Sequence, residues 1–206
     1  MAEDAILIEP TPAARRKREL RTDLRARRLA LPAADRMRDA EAVAAILQTQ
    51  PAFPKAGYIA GYWAMDGELP LHVMQMRLRE GQVWCLPCIQ TDKSLRFAPW
   101  RPGDELAANR FGIPEPALAT DSQLEAAEMA AILVPLLGFT RDGARLGMGG
   151  GFYDRSLASR RGGRSPLLVG VAYEFQQLED IPVDPWDLRL DAVVTAREYI
   201  DCSQSA

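Results

Sequence analysis

The stretch from Ala131 to Arg155, AILVPLLGFTRDGARLGMGGGFYDR, constrains this chain more than any other. Ala131 to Leu137 is a continuous apolar run. Alternation would mark a strand with one wet face, whereas an unbroken run predicts a strand covered on both faces of a parallel sheet. The polar turn Thr140-Arg141-Asp142-Gly143 follows, then Arg145 and the glycines Gly147, Gly149, Gly150 and Gly151. They end at Phe152-Tyr153-Asp154-Arg155, where a helix can begin. Strand, glycine loop and helix start together aim backbone N–H groups at an anion. Glycine lacks the Cβ that would block a ligand's close approach, and the planar guanidinium of Arg145 suits phosphate oxygens. The alternative is a flexible turn with an incidental arginine. No Gly-Lys-Ser/Thr ending is present, so this is not a Walker P-loop. Phe152 stands where G-x-G-x-x-G needs its last glycine, which weakens a dinucleotide reading.

The rest of the chain limits the setting. Its 206 residues suit one domain with a sizeable core. A net charge of −3 gives no general attraction to nucleic acid or anionic membrane. No apolar run approaches the roughly 20 residues of a membrane span, and the N-terminus lacks the apolar core of a signal peptide. Three cysteines and one histidine fit a reduced cytoplasm better than a disulfide framework. These features predict a cytoplasmic monomer.

Taken in order, residues 1 to 12 predict a loose tail, 13 to 200 a single domain and 201 to 206 a second tail. From Ala13 to Leu31 a basic helix is predicted, broken by Pro32. Its charges form either a solvated face or, as a rival, an RNA-contacting face, although no aromatics or known module support the latter. Lys17 and Arg21 lie four apart on one face. Residues 33 to 49 predict a helix packed through Met37, Ala40, Val43, Ala44 and Leu47. A strand over Ala56 to Trp63 leads to a loop ending at Glu68 and a helix from about Pro70 to Glu80. Trp63 and Glu68 thus fall beyond a strand's carboxyl end, where ligands bind in open α/β sheets. An aromatic wall with one carboxylate suits a flat heterocycle with amide-like donors; equally, Trp63 can be core and Glu68 a helix-start acid. Val83 to Ile89 predicts a strand, and its Cys85-x-x-Cys88 lacks the second ligand pair of a zinc site and the helix start of a thioredoxin motif, so both thiols are structural, as is His72. A further strand spans Ser94 to Trp100, and the Pro- and Gly-rich segment 101 to 120 carries no chemistry. Residues 123 to 129 and 153 to 161 predict helices, Leu167 to Tyr173 and Leu190 to Thr195 the last strands. Strands alternate with helices throughout, which predicts one α/β domain with a largely parallel central sheet and helices on both faces, Rossmann-like and doubly wound.

RLGMGGGFYDR, preceded by LVPLLGF, resembles the hallmark segment of the 5-formyltetrahydrofolate cyclo-ligases, also called 5,10-methenyltetrahydrofolate synthetases. The start Lys17-Arg18-Glu19-Leu20-Arg21 and the Gly112-Ile113-Pro114-Glu115-Pro116 stretch are similar to that family's as well, and the motif order matches from about residue 15 to 195. The resemblance implies ATP- and Mg2+-dependent cyclisation of 5-formyltetrahydrofolate to 5,10-methenyltetrahydrofolate, with release of ADP and phosphate. It implies ATP contacts from Lys17, Arg18, Arg21, Arg145, Gly147, Gly149, Gly150, Gly151, Phe152, Tyr153 and Asp154. The folate contacts are Trp63, Glu68, Met148, Phe152 and Tyr153, with Glu68 holding the pterin. Arg21, Arg145 and Tyr153 are the implied catalytic groups, and Asp154 and Asp191 the implied magnesium carboxylates. Helix capping by Asp154 and turn formation by Asp191 are the plain alternatives. The chain departs from the family at Thr140, often Asp, at Met148, a Tyr or Arg elsewhere, and at Phe152, usually Tyr. Phe152 keeps a ring but has no hydroxyl to donate. An α/β protein binding a sugar phosphate through the same loop, without ATP, is the remaining rival.

Overall fold

The computed structural model describes residues 9–160 and 165–205. Thr11 starts the first helix, α1 (Pro12–Leu29). Its hydroxyl accepts from the Ala14 amide at 3.2 Å, and the proline beside it needs no N–H partner there. Leu20, Leu24 and Arg28, spaced by four, are its buried residues. After Pro32 comes α2 (Ala33–Thr49), which buries Ala40, Val43, Ala44 and Leu47 as predicted. Met37 lies a turn ahead of the first buried residue and is exposed, not part of that stripe.

The chain continues through β1 (Gly57–Ala60), α3 (His72–Met76), β2 (Gln82–Ile89), β3 (Leu95–Pro99), β4 (Leu106–Ala108), β5 (Pro114–Pro116) and β6 (Met129–Pro135). It ends with β7 (Gly138–Phe139), β8 (Arg145–Leu146), α4 (Phe152–Ser156), β9 (Leu167–Val171), β10 (Ala192–Val194) and β11 (Tyr199–Asp201). One sheet has the order β11-β10-β9-β6-β1-β2-β3. Its strands from β10 to β2 pair in parallel, and β11 and β3 close the edges antiparallel. The largely parallel sheet is therefore the predicted one. Ile59, Ala131, Leu133, Val169 and Val194 face α2 and α3 on one side. Ala60, Ile132, Val134, Leu168 and Val193 face Phe139, Leu157 and Ile200 on the other. The run in β6 is continuous because both its faces are covered.

From β1 the chain moves outward to β2 and β3, then returns to β6 on the other side of β1. Strand order reverses there, and ligands of open α/β sheets bind beyond the carboxyl ends at such a point. No helix among the described residues is long and apolar enough to cross a membrane.

Several predicted elements differ in extent. β1 covers Gly57–Ala60 only. The helix predicted from Pro70 to Glu80 is the five residues of α3, because the Arg79 amide donates to Gln82 Oε1 at 2.7 Å and closes a turn into β2. Residues 123 to 129 hold one 3-10 turn, Ala126–Glu128. Leu124 is already committed to the sheet edge, exchanging backbone hydrogen bonds of 2.7 and 2.8 Å with Phe97. The segment 101–120 contains the β4–β5 hairpin, and the β7–β8 hairpin stands between the central strand and the glycine loop. After α4 a 3-10 turn covers Ala158–Arg160; Arg161 lies outside the described residues, as do residues 1 to 8 and Ala206. At the C-terminus β11 adds a strand the sequence did not announce, and Cys202 after it is buried.

Candidate active site

The glycine loop follows β8 and bends as only glycine does readily: Gly149 has φ 93° and Gly151, which precedes α4, has φ 67°. Arg21 from α1 lies against it, its Nε donating to the Gly147 carbonyl at 2.8 Å. With five residues, α4 adds little dipole. Any anion held here depends on loop N–H groups and on the cations around them.

Those cations converge on one loop. Lys17 Nζ lies 2.7 Å from Asp184 Oδ2 and 3.1 Å from Asp187 Oδ2, and its side chain is 13% exposed. Burial works against the ammonium, but the two aspartates outweigh it and hold the Lys17 pKa above the ordinary lysine value. Arg145, nearly buried, reaches Asp154 Oδ1 at 2.7 Å through Nη2 and donates to the Leu188 carbonyl through Nη1. The Leu188 amide donates back to Asp154 Oδ1 at 3.1 Å. A cavity of about 290 Å³ lies here, lined by Arg145, Asp184, Asp187 and Leu188 among others. Lys17, Arg145 and Asp154 are thus brought together by the loop from Pro182 to Leu188. Arg18 is exposed on α1 and stands apart from them.

On the other side of the site, Glu68 Oε2 accepts from the Met65 amide at 3.0 Å, and Oε1 lies 3.6 Å from Arg28 Nη1. Burial raises the Glu68 pKa, with Asp66 adding to the rise and Met65 N–H and Arg28 opposing it. Trp63 is partly exposed and meets Trp100 edge to face at 5.9 Å. Tyr153 opens α4 directly after the glycine loop. Burial drives its phenol pKa well above the ordinary value, Glu68 adds to the shift and Arg145 opposes it, so the phenol is neutral. Met148 is exposed on the glycine loop.

Phe111 is a residue that the sequence left without a role. It meets Phe152 edge to face at 5.9 Å, and the Arg110 guanidinium lies 5.0 Å from its ring centre. The signal was an exposed aromatic in a proline-stiffened loop. A larger cavity, about 500 Å³ and lined by Trp84, Trp100 and Arg101, adjoins Trp63 through Trp100, and none of the predicted site residues lines it.

Asp154 and Asp191 are held apart in role. Asp191 Oδ2 accepts from the Leu168 amide at 2.7 Å and pairs with Arg160, at the amino ends of β9 and β10. Glu68 and Trp63 lie past the carboxyl end of β1, two strands from β9. Among the described residues no group of three or more His, Cys, Asp or Glu is placed to hold a metal ion. Cys85, Cys88 and Cys202 are free and buried, in keeping with a structural role.

Comparison with known proteins gives the family and the fold. Residues 13–196 match the model of the 5-formyltetrahydrofolate cyclo-ligase family. The chain is 35% identical over 175 residues to the 5-formyltetrahydrofolate cyclo-ligase of Escherichia coli, covering 84% of this chain and 96% of that one. With the Haemophilus influenzae enzyme of the same name the identity is 32% over 179 residues, with 85% and 95% covered. The solved structure of the 5,10-methenyltetrahydrofolate synthetase of Aquifex aeolicus superposes with a TM-score of 0.77 at 32% identity, covering 90% of this chain and 92% of that one. Sheet, glycine loop and matched length together make the chain a member of the 5-formyltetrahydrofolate cyclo-ligase family, an enzyme of the ligase class.

Proposed function

We propose that this protein converts 5-formyltetrahydrofolate to 5,10-methenyltetrahydrofolate, using ATP and Mg2+ and releasing ADP and phosphate. The observation that carries the reading is the glycine loop with Arg21 donating to its Gly147 carbonyl, and Lys17 and Arg145 gathered beside it. A formamide oxygen is a poor leaving group; ATP supplies the phosphoryl group that lets it depart as phosphate while the neighbouring folate nitrogen closes the ring.

The chain's own task is positioning and charge stabilisation. Lys17, Arg145 and the loop amides from Gly147 to Gly151 hold the triphosphate. Arg21, fixed by the Gly147 carbonyl, and Tyr153 lie at the formyl group. Trp63, Phe152 and Phe111 form the ring walls, Met148 the outer lip, and Glu68 accepts from the pterin's amide-type N–H groups. Mg2+ favours oxygen ligands and takes one or two carboxylates. Asp154 fits it, because it borders the phosphate side and only its Oδ1 is engaged among the described residues. Asp191 is engaged in the same way but sits at the amino ends of β9 and β10, away from the glycine loop, and fits the ion less well.

The test follows methenyltetrahydrofolate absorbance with 5-formyltetrahydrofolate, ATP and Mg2+, each omitted in turn. Product is expected only with all three. Arg145→Ala is expected to lower kcat/KM by about 100-fold or more, the scale of a lost charge-stabilising donor. If Arg145→Ala and Lys17→Ala both left turnover intact, the phosphate assignment would fail.

A further inference from the structure

Helix α1 carries a third cation on the face that holds Lys17 and Arg21. Lys17, Arg21, Leu24 and Arg28 follow at spacings of four, three and four, one stripe of a helix. Arg28 is 1% exposed. Its Nε donates to the Asp66 carbonyl at 2.9 Å and its Nη1 to the Leu136 carbonyl at 3.3 Å, while Nη2 is buried with no hydrogen-bond partner among the described residues. The two acceptors belong to the segments leaving β1 and β6, so the guanidinium fills the point where strand order reverses. Leu20 and Leu24 precede it on the buried stripe, and a leucine would continue the packing without desolvating a charge. Two carbonyls do not offset that desolvation; an anionic partner is needed. The carboxylate at hand is Glu68, 3.6 Å away and 13% exposed.

We propose that Arg28 is a positioning residue of the folate subsite, which holds Glu68 ionised and oriented so that its oxygens accept from the amide-type N–H donors of the ligand ring. This rests on the assignment of Glu68 to that ring. The spacing is what makes the arrangement useful. At 3.6 Å the guanidinium stabilises the negative charge, yet it does not consume a carboxylate lone pair as a hydrogen bond would. A protonated Glu68 would offer one acceptor and one donor, and two N–H groups could not both be satisfied. The groups around the carboxylate otherwise favour protonation. Burial of the carboxyl and the Asp66 charge push toward the acid, and the Met65 amide and Arg28 oppose them. Arg25 pairs with Asp66 at 2.7 Å and reduces that repulsion from outside.

Arg28→Gln tests this through its pH dependence. Losing a cation at this range moves a carboxyl by one unit or more. The variant's KM for 5-formyltetrahydrofolate is expected to rise toward the acid side of the profile and to return to the wild-type value as pH increases and Glu68 ionises. The ATP KM should move less than about twofold, Arg28→Lys should keep the flat wild-type profile, and Glu68→Gln should abolish the pH dependence in either background. A uniform loss at every pH, or an equal rise in ATP KM, would overturn the proposal. Should Arg28→Gln not fold, carbon-13 titration of glutamate-labelled wild-type protein decides it, with the Glu68 signal identified by its loss in Glu68→Gln. A Glu68 protonated at neutral pH in the free enzyme would sink the idea. That titration needs no substrate, so it stands even if no cyclisation is found and the folate reading fails.

Discussion

Tyr153, the second residue of α4, follows the glycine loop directly. Burial keeps its phenol neutral far beyond any working pH, so it can orient a group or donate a hydrogen bond but cannot act as a base. Tyr153→Phe should therefore lower kcat about tenfold, the scale of one neutral hydrogen bond to a reacting group. The shape of the pH profile should stay unchanged. A new inflection in that profile would show that the phenol titrates in turnover. The neighbouring Phe152 was legible as a ring without a hydroxyl, but its partner Phe111 was not, since forty residues of chain separate them and only the fold closes the gap. Arg28 was hidden for a different reason. In a run with Arg25 and Arg27 it looks like one more solvated charge, and only its seven-residue spacing from Arg21 marks it as facing inward.

Among the elements, the loop from Pro182 to Leu188 does the joining. Asp184 and Asp187 anchor Lys17 of α1, the Leu188 carbonyl anchors Arg145 of β8, and the Leu188 amide anchors Asp154 of α4. Replacing both aspartates by asparagine should lower stability at neutral pH by about 1 kcal/mol, a low figure because Asp184 is nearly half exposed and solvent screens it. The sign with pH follows from Lys17. Its folded pKa is raised, so the contribution is complete below the unfolded lysine value and is lost as pH climbs through the folded one. Urea midpoints of wild type and double variant should thus converge as the solution is taken above the ordinary lysine range. A gap that persists there would mean that the loop is held by something other than Lys17. Elements defined by their own residues were legible: the capped α1, the stripe of α2, and the apolar runs of β2, β6 and β9. Elements decided by distant partners were not. Leu124 joins Phe97 in place of a helix, α3 yields after one turn, and β11 exists because β10 offers it an edge.

For the whole molecule, the three thiols report whether the sheet behaves as one unit. Cys85 and Cys88 lie on β2, next to the edge strand β3, while Cys202 follows β11 at the opposite edge. Burial pushes each up to about 12. At pH 8 only about one in 10⁴ of such thiols is ionised, and the thiolate is the reactive form. Native protein should therefore resist an aromatic disulfide reagent, and all three thiols should react together in denaturant. The parallel core is continuous from β10 to β2, and both apolar faces cross it without a break. Local openings of lower free energy would expose one edge first; with both faces continuous, labelling rates of the three are expected instead to follow a single unfolding rate as urea rises. Early reaction of Cys202 alone would show the β10–β11 edge opening by itself. Early reaction of Cys85 and Cys88 would place the weak edge at β3, beside the loop that carries Phe111, and would link local opening to access of the Phe111–Phe152 pair.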